Sequence, residues 1–250
     1  VGGAALSSTR RAIVTGAASG IGQATANRLL REDVSVLGVD VDEAGLEPLA
    51  AAGADVLVAD LGLPEERERV AGAAAGADYL VNAAGIIRLK PILEFTVDDW
   101  REVFTVNAES IFFLCQLIGP QLREGGAIVN LSSSSAKLAT TTEACVYAAS
   151  KTTILSITRS FAYALAPRVR VNAICPGIVD TPMQKKVHEE VSAVRGVSRE
   201  EFEAGRTGMV PLGRSSPADE CAGLISFLLS DQAAYMTGQA INWTGGMVTW

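Results

Sequence analysis

The sequence predicts a single α/β domain built on a doubly wound parallel sheet of about seven strands, with helices on both faces. Three observations lead there. Short β-rich runs alternate with helical stretches from Arg11 to the C-terminus. Several of those runs are almost continuously apolar, as parallel strands covered on both faces require. No Pro/Ser-rich linker, composition shift or internal repeat divides the 250 residues. Strand and helix in strict alternation give a doubly wound sheet.

Taken in order, the expected strands are residues 12–15 (Ala-Ile-Val-Thr), 34–39, 56–59, 79–81, 127–131, 169–174 and 240–243. The expected helices between them are residues 21–31, 64–75, 97–122, 146–165 and 218–229. Residues 1–10 read as a loose tail. Residues 181–209 break the rhythm: they are charged (Lys185, Lys186, Glu189, Glu190, Arg195, Arg199, Arg206) and hold the one histidine, His188. An insertion after a sheet's carboxyl edge suits a substrate loop or lid. A solvated surface helix pair fits the same residues equally well.

Bulk numbers exclude several function classes. A formal net charge of −7 argues against a nucleic-acid or anionic-membrane surface. Four cysteines without a C-x-x-C pair, and one histidine, make a metal site improbable, so none is expected. Buried free thiols, no apolar stretch approaching the roughly 18 residues of a membrane span, and an opening unlike a signal peptide make the cytoplasm the default.

The segment Thr15-Gly16-Ala17-Ala18-Ser19-Gly20-Ile21-Gly22 joins the first strand to the first helix. Glycines there let the backbone approach a pyrophosphate, which the helix N-terminus attracts through free amides and dipole. The spacing is G-x-x-x-G-x-G, and a glycine loop alone is weak evidence. Position strengthens it: Asp40 lies 18 residues past Gly22, at the carboxyl end of the second strand. A carboxylate there accepts hydrogen bonds from ribose hydroxyls and repels a 2′-phosphate. Ser19 and Val41 are neutral, so NAD is the expected cofactor, not NADP. Asp60-Leu61 could flank the adenine, or Asp60 could cap the next turn.

Tyr147 and Lys151 are four apart in an expected helix and share one face. An ammonium beside a phenol stabilises phenolate and lowers a pKa that is ordinarily about 10. Tyr147 is thereby a candidate proton-transfer group.

With these motifs in place the chain resembles the short-chain dehydrogenase/reductase family, from about Arg11 to Met247. The carriers are Thr15–Gly22, the Asn-Ala-Ala-Gly form of the central-strand motif (Asn82, Ala83, Ala84, Gly85), Asn107, a serine after the fifth strand, Tyr147-Ala148-Ala149-Ser150-Lys151, and Pro176-Gly177. The resemblance implies a Rossmann-like fold and assigns roles. Tyr147 would be the general acid/base, and Lys151 would tune it and hold the nicotinamide ribose. Asn107 would position a relay water, and a serine hydroxyl would bond the substrate oxygen. Gly16, Ser19, Gly20, Ile21, Gly22, Asp40, Asp60, Leu61, Asn82, Ala83, Ala84, Gly85, Pro176 and Gly177 would line the cofactor, with Ile178 and Thr181 at the carboxamide.

Two departures stand out. Ala83 replaces the motif's second asparagine. The run Ser132-Ser133-Ser134-Ser135 leaves the serine ambiguous: counting back 13 residues from the tyrosine selects Ser134, whereas counting forward from Asn130 selects Ser133. A strand fixes direction more rigidly than a loop, which favours Ser133.

The C-terminal half resembles diol and polyol dehydrogenases, including acetoin/2,3-butanediol reductases, through Cys175-Pro176-Gly177-Ile178-Val179-Asp180-Thr181-Pro182-Met183, Pro211-Leu212-Gly213-Arg214 and Tyr235-Met236-Thr237-Gly238-Gln239. Small diols, ketols and sugar alcohols therefore lead as substrates. The alternatives are an NADPH-dependent 3-oxoacyl-carrier reductase and a catalytically inactive dinucleotide sensor. The resemblance also implies a homotetramer, one axis using the helices expected at 97–122 and 146–165 and the other the C-terminal segment.

Overall fold

Seven short runs of Val, Ile, Leu and Ala become seven parallel strands in a computed structural model, which describes residues 10–139 and 141–250. In chain order the elements are β1 (Arg11–Thr15), α1 (Gly20–Arg31), β2 (Ser35–Asp40), α2 (Glu43–Ala51), β3 (Asp55–Val58), α3 (Pro64–Gly72) and β4 (Tyr79–Asn82). Then follow α4 (Val97–Phe104), α5 (Ser110–Ile118), β5 (Gly126–Leu131), α6 (Cys145–Leu165), β6 (Val169–Pro176) and β7 (Val179–Asp180). The chain ends with α7 (Pro182–Arg195), α8 (Arg199–Thr207), β8 (Ser216–Pro217), α9 (Ala218–Leu229) and β9 (Ala240–Trp243). The main sheet runs β3-β2-β1-β4-β5-β6-β9; β7 and β8 pair separately. Strand order reverses between β1 and β4, which opens a crevice at their carboxyl ends.

The apolar runs are explained by two cores, one on each face. Ile13, Leu80, Ile128 and Val171 point to the side covered by α3, α5 and α6. Ala12, Val14, Val81 and Val129 point to the opposite side, against Leu29 of α1 and Ile225 of α9. Successive strand residues face opposite ways, so a strand buried on both faces has no polar positions to alternate.

Four features differ from the sequence expectation. Arg10 is anchored, not loose: its carbonyl accepts from Ser35 N at 2.8 Å and its guanidinium meets Asp78 at 3.2 Å; the rest of the expected tail lies outside the described residues. Helix α2 was not singled out because Gly45 and Pro48 lower its propensity. It forms because Asp42 caps it through Gly45 N and because Leu46 and Leu49 are buried.

The helix expected over 97–122 is divided. A π turn, Thr105–Glu109, separates α4 from α5, and a short 3₁₀ turn follows. The stretch Val97–Gln121 is also long and apolar enough to pass for a membrane span by composition, contrary to expectation, although half of its most apolar window is buried within the fold. Finally, residues 181–209 contain the helix pair α7 and α8, and this pair reaches the cleft described next.

Candidate active site

The turn after β1 is built from glycine because nothing larger fits. Gly16 has φ of 68°, and a Cβ on it would sit 2.7 Å from Ala84 N. A Cβ on Gly22 would lie 2.0 Å from the Gly16 carbonyl oxygen. Ser19 precedes α1 without any side-chain cap, so the opening amides of that helix are left for an anion. Thr15 secures the opposite wall: its Oγ1 accepts from Ala83 N at 3.1 Å and Ala84 N at 3.2 Å. Sequence reasoning assigned Thr15 no role of its own, although a hydroxyl ending an apolar strand was the available signal.

At the end of β2 the Asp40 carboxylate accepts from Ala18 N at 3.0 Å and from Asp42 N at 3.1 Å. Both bonds orient it toward the glycine turn. Val41 beside it is exposed. Asp60 accepts from Gly62 N at 2.8 Å, so it caps its own turn and also lines the cleft.

These parts line a cleft of about 760 Å³. Gly16, Ser19, Gly20, Ile21, Gly22, Asp40, Asp60, Leu61, Ala83, Ala84, Gly85, Ser133, Tyr147, Lys151, Pro176, Gly177 and Thr181 all face it. Asn82, Asn107 and Ile178 do not. Asn82 is fully buried and donates to Asn130 Oδ1 at 2.8 Å, holding β4 to β5 beneath the cleft. Ile178 is a correction: it turns away, toward a separate cavity lined by Val210 and Trp243, and Val179 lines the cleft in its place. The backbone of β7 alternates sides, and the sequence did not show where that alternation starts.

The chemical groups meet at the carboxyl ends of β5 and β6. Ser133 hydrogen-bonds the side chain of Tyr147, and its Oγ also accepts from Ser135 N at 3.1 Å. Ser134 begins the following 3₁₀ turn; it lines the cleft without a side-chain bond to Tyr147. Ser132 donates to the Lys151 carbonyl at 2.8 Å, tying the strand end to α6. Lys151 Nζ donates to the Leu131 carbonyl at 2.9 Å and lies 5.6 Å from the Tyr147 ring centre.

Burial governs the electrostatics. It pushes the Lys151 ammonium down to about 8 and the Tyr147 phenol up to about 12, with the Ser133 hydrogen bond opposing the latter. The sequence expectation of a lowered tyrosine is therefore corrected for the chain by itself. Desolvation of the phenolate outweighs a lysine whose proton is already shared with a carbonyl.

Asn107 sits in the π turn, where its Oδ1 accepts from Ile86 N at 2.8 Å and its Nδ2 donates to Ile86 O at 2.9 Å and Ser150 Oγ at 3.1 Å. It clamps the segment after Gly85 to α6. The lining residues missed by sequence reasoning are mostly apolar (Val41, Leu63, Ile86, Met183, Val187), with Arg206 the charged exception. Apolar residues carry no motif, and Arg206 was one of many charges in its segment.

A family model described as enoyl-(acyl carrier protein) reductase matches residues 16–248. The chain belongs to the short-chain dehydrogenase/reductase family. It is 34% identical to a 3-oxoacyl-[acyl-carrier-protein] reductase of Thermotoga maritima, over 94% of this chain and 96% of that protein. It is 32% identical to an L-2,3-butanediol dehydrogenase of Corynebacterium glutamicum, over 95% and 98%. A solved actinorhodin polyketide ketoreductase with NADPH superposes with a TM-score of 0.90 at 32% identity, covering 99% of this chain and 100% of that one.

Short-chain dehydrogenase/reductase membership makes the protein an oxidoreductase that binds a nicotinamide dinucleotide. The residues present suit that group. Two glycines leave a cradle that any Cβ would fill, and uncapped helix amides face it.

Proposed function

We propose that the protein interconverts a secondary alcohol and its ketone with NAD, small diols and polyols being the leading substrates. The observation that carries this reading is Tyr147, bonded to Ser133 and beside Lys151, in the same cleft as the glycine turn and Asp40. Bound nicotinamide would supply the hydride acceptor, or the donor in reverse. Tyr147 would exchange the proton with the substrate oxygen, and Ser133 would bond that oxygen as charge develops. Lys151 would hold the ribose and balance a phenolate, while Asn107 fixes the backbone from which a relay water could be held. Asn82, Ala83, Ala84, Gly85, Pro176, Gly177 and Thr181 would complete the cofactor wall. Helices α7 and α8 would serve as the substrate lid. The sequence exposes no competing compartment signal, and the buried thiols of Cys115, Cys175 and Cys221 suit a reducing cytosol.

The cofactor preference rests on Asp40. Its carboxylate faces the turn where a 2′-phosphate would lie, and Val41 offers no cation. Steady-state kinetics are expected to favour NAD over NADP. Asp40→Ala should narrow the ratio of kcat/KM by about tenfold to a hundredfold, as expected for one lost charged hydrogen bond. A wild-type preference for NADP would overturn this and favour the second reading, a 3-oxoacyl-carrier reductase, which the Thermotoga relative's name supports.

A homotetramer is part of the same proposal. Trp100, Phe112, Phe113 and Tyr163 are exposed on α4, α5 and α6, and Trp250 is 70% exposed at the C-terminus. Apolar patches of this kind suit subunit contacts. Light scattering is expected to give four chains; a monomer at micromolar concentration would refute it.

A further inference from the structure

Arg206 is a buried cation that nothing in the protein neutralises. It projects from α8 into the cleft that holds Tyr147, its Nε is buried with no hydrogen-bond partner, and no ion pair forms to it among the described residues. Its guanidinium carbon lies 5.9 Å from the Phe202 ring centre. The carboxylates nearby are already engaged. Glu143 takes both bonds from Arg195, at 2.7 Å each, and Glu203 faces His188 Nδ1 at 3.5 Å. Burial and the Arg195 charge both push the Arg206 pKa down, and no acid pushes it back. A buried charge without a partner is costly, and the group usually has an anion to meet.

The surroundings say what kind of anion. Ile87, Ala144, Val187 and Phe202 form a small apolar cluster, against which Tyr147 and Met183 pack. The polar features on this wall are thus the Ser133–Tyr147 pair and the Arg206 fork, with hydrocarbon between them. A guanidinium presents parallel donors that match a carboxylate.

We infer that Arg206 is a specificity-determining residue, which selects a short aliphatic substrate bearing a carboxylate in addition to the reacting carbinol or carbonyl. This rests on the hydride-transfer reading above and replaces the second hydroxyl of a neutral diol by a carboxylate. The reacting oxygen sits at Tyr147 and Ser133, the carboxylate at Arg206, and the carbon chain lies along Val187 and Met183.

The test compares 2-oxobutanoate, 3-oxobutanoate and 4-oxopentanoate, each with its methyl ester, as substrates for reduction with NADH. At least one acid is expected to exceed its ester in kcat/KM by about tenfold to a hundredfold, mainly through KM, as a charged hydrogen bond would give. Arg206→Met should bring that ratio close to one, and Arg206→Lys should restore part of it. Binding of the preferred acid to the NAD⁺-loaded enzyme, measured by calorimetry, should weaken by the same factor in Arg206→Met, without any turnover being required. Esters reduced as well as acids by the wild type would overturn the inference and leave the hydride-transfer reading standing. A loss in Arg206→Met confined to NADH affinity, with the acid-to-ester ratio kept, would overturn it too. If no ketone is reduced but the acid binds through Arg206, the hydride-transfer reading fails while the anion site survives.

Discussion

Tyr147→Phe is expected to lower kcat by about a hundredfold to ten-thousandfold, the range for a positioned acid/base. NADH affinity, read by fluorescence titration, should stay nearly intact. The substitution removes one oxygen and leaves the ring that packs beside Met183 and Lys151. The loss should therefore fall on the transition state, not on binding. The pH dependence follows from the same atom. With its phenol held up at about 12 by burial, Tyr147 stays protonated through the neutral range and can donate during ketone reduction. Reduction should therefore vary little with rising pH as far as Tyr147 is concerned. Oxidation needs the phenolate and should climb with pH, and the climb should vanish in the variant. An active Tyr147→Phe enzyme with an unchanged profile would remove Tyr147 from the chemistry.

The second large effect concerns the serine run. Ser133→Ala should cost about a hundredfold to a thousandfold in rate, the usual loss for one donor to a developing oxyanion. Ser134→Ala should cost little, because Ser134 makes no side-chain bond to Tyr147. A defect confined to Ser134→Ala would mean that the catalytic hydroxyl is one residue later, and no defect in either would take the serine out of the mechanism. Ser132→Ala is a useful third variant: its bond to the Lys151 carbonyl is structural, so heat stability should fall with it.

Much of this site was legible before any coordinates, and the reason differs by residue. Asp40 and the glycine turn were readable because a strand end and a helix start fix them relative to each other. Tyr147 and Lys151 were readable because helical spacing alone puts them on one face. Ile178 was misplaced since it lies in an irregular stretch, where a difference of one residue decides which side a chain faces. The direction of the Tyr147 shift was also beyond spacing: adjacency to Lys151 is written in the sequence, but complete burial is a property of the packed helices. The π turn left no signature because its extra residue looks like ordinary helix. Arg206 went unremarked because its isolation depends on Glu143 and Glu203 being occupied elsewhere.

That π turn also sets how this region can change. Ser110 N reaches back to the Thr105 carbonyl, and Ser110 Oγ takes the Val106 carbonyl at 2.6 Å. The turn thus holds one residue more than a plain α-helix would use. Each helical residue advances about 100° around the axis, since there are about 3.6 per turn. Deleting one residue from Thr105–Glu109 would let the helix run through smoothly while rotating everything after it by that angle relative to α4. Ile111, Leu114 and Ile118, which now face the core, would be swung sideways, and Asn107 would lose its hold on Ile86. Side chains here are individually replaceable, whereas chain length is not: the segment behaves as a gear tooth, tolerant of material but intolerant of count.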